Sequence, residues 1–323
     1  MIPNREEVEI KQILLDSFGI SVNRIIPTEG GWSASAFKIE SNEGEYFLKV
    51  YDKHRSSINP ILEKLDFTMS VCSWLEENTD LKGSINAPIK TITGEIKAET
   101  GDFTYLLFPF INGVTIRTTP LTVQQQSGIA EIVGKIHNHG PDMPFDFSSV
   151  TENFEIPCGE LLKIQHNPND PLCVHQQYDT LMRAIENAHV LAKFIKACNL
   201  EFALCHTDIH GWNLMQSDKL ILIDWESIKF APVESDLYTF WGDWYWGNSK
   251  WGSYWETFLP IYQKIHPQYK ENNDYLKFYQ VRRHIEDIEE FYKQYLYDKM
   301  TDEETNEVIS GMERECKFLS TLI

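Results

Sequence analysis

Basic residues are scarce in this 323-residue chain: 29 lysines and arginines stand against 48 aspartates and glutamates, a net charge of −19. So acidic a surface is a poor match to the phosphates of nucleic acid or to anionic lipid, and it disfavours both as partners while favouring small cations. Long apolar runs are missing, and none approaches the ~20 residues that a membrane-spanning helix needs. Met1 to Glu7 is charged and has no apolar leader segment, so a cytoplasmic protein is expected. The six cysteines are scattered with no Cys-x-x-Cys pair, which fits reduced thiols. No repeat is present either: Trp-Gly recurs at Trp241, Trp246 and Trp251, but three copies five residues apart make no repeat architecture. What remains is an ordinary globular composition, long enough for a large core and two lobes.

The informative stretch runs from Phe202 to Glu226. Two apolar runs, Phe202 to Cys205 and Leu220 to Ile223, have the length and composition of buried strands, and they are expected to lie side by side. Asp208 follows the first run, Asn213 stands five positions later, and Asp224 ends the second. Two carboxylates and a carboxamide are hard oxygen donors, a set that suits Mg²⁺. His206, Asp208 and His210 offer a rival reading as zinc ligands of a hydrolase, but that leaves Asn213 and Asp224 without a role. A buried His206 bracing the loop through hydrogen bonds is the simpler account.

The order His-x-Asp-x-x-x-x-Asn, then strand and Asp, resembles the catalytic loop and metal-binding acid of the protein-kinase-like superfamily. Trp225-Glu226 after the second acid resembles its small-molecule branch, the aminoglycoside phosphotransferase and choline kinase family. The spectinomycin-modifying branch is closest in feel. No Ala-Pro-Glu segment follows at the remove usual in protein kinases. The resemblance implies an α+β, protein-kinase-like two-lobed fold. Residues 1–111 would form a small β-rich N-lobe, and 112–323 a larger mainly helical C-lobe with an insertion at about 140–200.

Further residues take roles from the same resemblance. Gly30, Gly31 and Ser33 sit in a strand–turn–strand stretch like the family's phosphate-covering loop, though Gly-Gly alone is usually a hairpin turn. Lys49, central in the strand Tyr46 to Val50, would hold the α- and β-phosphates. Its acid partner would come from a helix over 59–78, as Glu63 or Asp66, which share a face there; Glu63 is preferred. Pro109 and Ile111 resemble the hinge that bonds adenine through the backbone, and a proline carbonyl can still accept. His206 and Asp236 would be structural, Asp236 tying down the catalytic loop.

The acceptor side is less sharply drawn. Phe240 to Trp255 holds a cluster of aromatics that is either core or a cage for an amine, with Trp241, Trp244 and Glu226 as candidate acceptor residues. Arg283-His284-Ile285-Glu286-Asp287-Ile288 resembles the Arg-x-x-Glu-Asp-Ile of the spectinomycin branch, and adds Glu286 and Asp287; a solvated charged face is the bland alternative.

Together these readings predict an enzyme that moves the γ-phosphoryl group of ATP to a hydroxyl, with Asp208 as base and Asn213 and Asp224 as Mg²⁺ ligands. The expected acceptor is a cationic, aminoglycoside- or aminocyclitol-like molecule, with antibiotic resistance as one outcome. A metabolic kinase for an amino alcohol, a sugar or homoserine shares every motif. A non-catalytic nucleotide-binding scaffold is disfavoured by intact Lys49, Asp208, Asn213 and Asp224.

Overall fold

The computed structural model describes residues 4–28, 33–55, 58–117, 119–140, 143–164, 171–198, 200–241 and 254–322. The chain opens with α1 (Asn4–Phe18), which Gly19 ends at φ +69°, a left-handed conformation that glycine adopts freely. Strands β1 (Val22–Pro27), β2 (Ser35–Ser41) and β3 (Glu45–Asp52) follow, then α2 (Asn59–Leu62) and α3 (Leu65–Asn78). Next come β4 (Ala98–Glu99), β5 (Phe103–Pro109), β6 (Val114–Thr115) and α4 (Val123–His137). Helices α5 (Leu172–Gln176) and α6 (Tyr178–Lys196) precede β7 (Phe202–Cys205), β8 (Leu214–Gln216), β9 (Leu220–Leu222) and β10 (Lys229–Pro232). The chain continues through α7 (Glu234–Leu237), α8 (Leu259–Ile265), α9 (Asn273–Tyr297) and α10 (Asp302–Leu322).

The result is a β-sheet N-terminal region followed by a helical C-terminal part. The first five strands form one antiparallel sheet in the order β1-β2-β3-β5-β4. Its α1-facing side buries Ile10, Leu14, Ile39, Leu48 and Leu107. Lys49 lies in the central strand β3, opposite Ala36 on one side and Leu106 on the other, and alternation turns it away from Leu48 and Val50. Among the described residues no helix is long and apolar enough to cross a membrane.

Two expectations about elements are corrected. The helix over 59–78 is two pieces, with Glu63 and Lys64 in the turn between α2 and α3. Between α3 and β5, Thr91 to Glu95 is a turn closed by its own backbone bonds, and Ala98–Glu99 joins the sheet. The two apolar runs on either side of residues 206–219 do not pair: β7 pairs with β10, and β9 with β8. Strand hydrogen bonds to other partners fix each run, and the loop between them closes the gap.

Helix α4 begins at a capping box in which Thr122 and Gln125 exchange side-chain and backbone bonds, and it delivers the buried His137 to the loop that follows β7. The long α9 carries Arg283 and Asp287 one turn apart toward the same loop.

Candidate active site

The loop after β7 is held by one buried carboxylate. Asp236, in α7, accepts the backbone N–H of His206 at 2.9 Å and that of Thr207 at 2.5 Å, and its Oδ2 also meets His137 Nε2 at 3.0 Å. Thr207 sits at φ +63°, which a β-branched residue adopts only when surrounding contacts impose it. Its hydroxyl supplies one more such contact, donating to the Ser227 carbonyl. His206 is fully buried; Nδ1 accepts the Asp208 N–H at 3.3 Å and Nε2 donates to the Ile223 carbonyl at 3.1 Å. Both ring nitrogens are thereby used inside the loop, so His206 does not converge with Asp208 and His210 as a zinc site would require.

That bracing joins the two strand ends that strand pairing leaves apart. Ile223 N–H donates to the Asn213 carbonyl at 2.9 Å, while Asn213 Nδ2 donates to Asp208 Oδ2 at 3.0 Å and to the Asp208 carbonyl at 2.9 Å. Gly211 allows the loop to close: a Cβ there would lie 1.7 Å from the Arg117 carbonyl oxygen. Asp224 follows β9 in the left-handed region at φ +70°, which turns the chain into a tight 3-10 turn, Trp225–Ser227.

Lys49 reaches this assembly from the sheet. Its Nζ lies 2.8 Å from Asp224 Oδ1 and 2.6 Å from Glu226 Oε1, and the Tyr51 hydroxyl also donates to Glu226. Burial alone would lower the lysine, but the two carboxylates hold it above its ordinary value. Burial and the neighbouring Asp224 push Glu226 up to about 7, against the pull of Lys49. Asp224 stays below its usual value, because Lys49 outweighs burial.

The expected partner of Lys49 is therefore wrong. Glu63 is exposed in the α2–α3 turn, and Asp66 is exposed and pairs with Lys97 at 3.0 Å. Glu226 takes the place of a helix acid, and its reading as an acceptor residue is corrected by the same contacts: it is buried against Lys49 and Tyr51. No local pattern announces the pairing; the one hint is an acid two residues beyond Asp224, on the turn against which α3 packs.

Asp208 opens the other half of the site. Its Oδ1 receives Arg283 Nη1 at 2.9 Å and lies 3.5 Å from His210 Nε2. Burial opposes its charge, yet His210 and Arg283 hold it well below the ordinary carboxylate range. Arg283 Nε donates to Asp287 Oδ1 at 2.8 Å. Burial pushes Asp287 up to about 6, Arg283 notwithstanding, with Glu315 and Glu286 adding repulsion. A cleft of about 430 Å³, open mouth included, extends from Asp208 past Tyr238, Arg283 and Asp287 to Glu315 and Phe318. Arg283 lines it, bonded to both Asp208 and Asp287, and sequence reasoning passed over it in favour of the acids beside it.

The remaining candidates separate. Glu286 is half-buried on α9, close to the Asp287 carboxylate in electrostatic terms. Pro109 ends β5 with its carbonyl 3.5 Å from Asn86 Nδ2, and Ile111 follows, half-buried. Trp241 packs on the main core, while Trp244 lies outside the described residues, as do Gly30 and Gly31. Ser33, half-buried, precedes β2. Among the described residues one group has ligand-type atoms within 4.8 Å of one another, His137, Cys205 and Asp236. Both imidazole nitrogens of His137 are bonded, to Tyr262 and Asp236, so this group braces the loop.

Asn213 and Asp224 fit a hard divalent cation by their chemistry. Both offer oxygen, and Asp224, 2.8 Å from Lys49, lies near enough to Asp208 for the two carboxylates to repel each other, an excess of negative charge. A bound cation would offset that excess.

A model of a family described as phosphotransferase enzymes matches residues 24–271. Similar solved structures include spectinomycin phosphotransferase APH(9)-Ia in complex with ADP and spectinomycin. Its TM-score is 0.74 at 18% identity, with 98% of each chain covered. A microcompartment-associated aminopropanol kinase aligns at TM-score 0.67 and 14% identity, over 98% of each chain. Choline kinase LicA from Streptococcus pneumoniae aligns at 0.61 and 15% identity, over 98% of this chain and 100% of its own. At these identities the likeness establishes a kinase-like fold. No curated protein sequence matches the chain.

Proposed function

This chain belongs to the phosphotransferase enzyme family, and from that premise we propose that it transfers the γ-phosphoryl group of ATP to a hydroxyl of a small cationic molecule. The observation that carries the reading is the meeting of Lys49, Asp224, Asn213 and Asp208 across the sheet and the catalytic loop. Lys49 is a fixed positive charge for the phosphates, and Asp224 and Glu226 keep it protonated and aimed. Asn213 and Asp224 are the residues that would hold Mg²⁺, which when bound screens the charge of the phosphates. Asp208 accepts the acceptor's hydroxyl proton as the acceptor oxygen bonds to phosphorus and the bond to the ADP oxygen breaks. An alcohol is a weak acid and the transition state is loose, so orientation by Asp208 matters more than early deprotonation.

The acceptor class follows from charge. The cleft beyond Asp208 sets Asp287, paired with Arg283, near Glu315, which is held by His284 and Arg314, and an ammonium group entering there relieves the repulsion that Glu315 and Glu286 exert on Asp287. Spectinomycin, aminopropanol and choline, named for similar structures, all pair a hydroxyl with a cationic nitrogen. The test is mass spectrometry of a panel of aminocyclitols, aminoglycosides and amino alcohols after incubation with the enzyme and Mg-ATP. A phosphorylated product from one class supports the reading and names the acceptor. Phosphorylation of neutral polyols alone would overturn the cationic assignment.

A further inference from the structure

The same carboxylate that is placed to receive the acceptor's proton is already occupied. Asp208 Oδ1 takes Arg283 Nη1 at 2.9 Å, and its Oδ2 takes Asn213 Nδ2 at 3.0 Å. Arg283 is in turn anchored one helical turn on, where Nε donates to both oxygens of Asp287 at 2.8 and 3.0 Å. The guanidinium is therefore a bridge between the base and a second acid that lines the acceptor cleft, and its planar fork suits two carboxylates at once. Asp208 and Arg283 are each partly exposed, at 20% and 28% of their side chains, so solvent reaches this bridge.

Water competes with any acceptor in such a site. It is abundant and small, and a base placed for an alcohol serves it equally well. In hydrolysis the water oxygen bonds to the γ-phosphorus, the bond to the bridging ADP oxygen breaks, and the water proton passes to the base. The products are ADP and inorganic phosphate. A cation parked on the base withholds the lone pair that water would use. Water cannot displace it, since it has no charge with which to compete for Asp287. A cationic acceptor can, because its ammonium replaces the guanidinium at a carboxylate that burial and neighbouring acids leave short of positive charge.

Resting on the phosphotransfer reading above, we infer that Arg283 is a positioning residue that caps Asp208 until a cationic acceptor takes over Asp287, and so sets the preference for acceptor over water. The neighbouring His210 lies 3.5 Å from the same oxygen, and Arg283 is bonded to both Asp208 and Asp287, so the coupling to the acceptor's charge is assigned to Arg283.

The experiment compares ATP hydrolysis without acceptor and phosphoryl transfer with acceptor in the wild type, Arg283→Gln and Arg283→Lys, alongside Mg-ATP binding by calorimetry. In Arg283→Gln, hydrolysis without acceptor is expected to rise severalfold, so that the ratio of transfer to hydrolysis falls roughly tenfold, with ATP affinity unchanged. Arg283→Lys keeps a charge but lacks the fork, and its hydrolysis should lie between the two. It also carries the test should the glutamine variant fail to fold. Hydrolysis that stays level or falls along with transfer, in a variant that still binds Mg-ATP, overturns the inference. Failure of the wild type to phosphorylate any acceptor would instead count against the phosphotransfer reading, whatever Arg283 does to hydrolysis.

Discussion

Lys49 Nζ lies 2.6 Å from Glu226 Oε1, a carboxylate 177 positions further along the chain and two beyond Asp224. The pairing joins the sheet to the turn after β9 and leaves the acids of the α2–α3 region in solvent.

Glu226→Gln is therefore expected to raise the KM for ATP roughly tenfold, equivalent to about 1.4 kcal/mol, because Lys49 loses one of the two charges that aim it. Glu63→Gln should leave both KM and kcat unchanged. Steady-state kinetics on the two variants decides the matter, and a larger effect from Glu63 would contradict the assignment.

Asp236→Asn should destabilise the fold by about 3 kcal/mol, the scale for breaking a buried, hydrogen-bonded charged group. The carboxylate holds two backbone N–H groups and His137, and with it the strained Thr207. Thermal melts should show the loss, and residual activity at low temperature should fall further than stability alone explains, since Asp208 adjoins Thr207.

Much of this site is legible from local spacing. His206, Asp208, Asn213 and Asp224 fall within one stretch of chain, and the chemistry of each follows from residue type and distance along the sequence. Glu226 and Arg283 differ because their partners are remote: Lys49 is 177 positions away and Asp208 is 75. An acid beside a metal-type acid, or an arginine on a charged helix face, has no local signature for such contacts. The helix over 59–78 misled for a related reason. Nothing in residue type marks a stop there, but Glu63 and Lys64 form a turn, with the Lys64 N–H on the Ile61 carbonyl, and the helix resumes at Leu65. Strand pairing failed likewise: β7 and β9 have similar composition, and only the positions of β8 and β10 assign them to different sheets.

Glu234 offers a pH test independent of catalysis. It is buried at the start of α7, and burial pushes its carboxyl up to about 7 from 4.5. An acid whose folded pKa is raised favours the fold fully below its unfolded value, and that contribution is lost as pH rises through the folded pKa. Glu234→Gln should accordingly be more stable than the wild type at pH 8, by about 1 kcal/mol and at most roughly 3. The difference should vanish by about pH 4, where the glutamate is protonated in both states. Chemical denaturation at the two pH values checks the sign.

The central claim is that Asp208 serves phosphoryl transfer, and the most direct test is ADP release in wild type and Asp208→Asn with Mg-ATP and the best acceptor. Because Arg283 and His210 hold Asp208 ionised, wild-type turnover should show no loss assignable to this group between about pH 8 and 5. The variant should lose roughly 10²- to 10⁴-fold in kcat and bind Mg-ATP as before. Turnover within twofold or so of wild type in a folded Asp208→Asn protein would contradict the account.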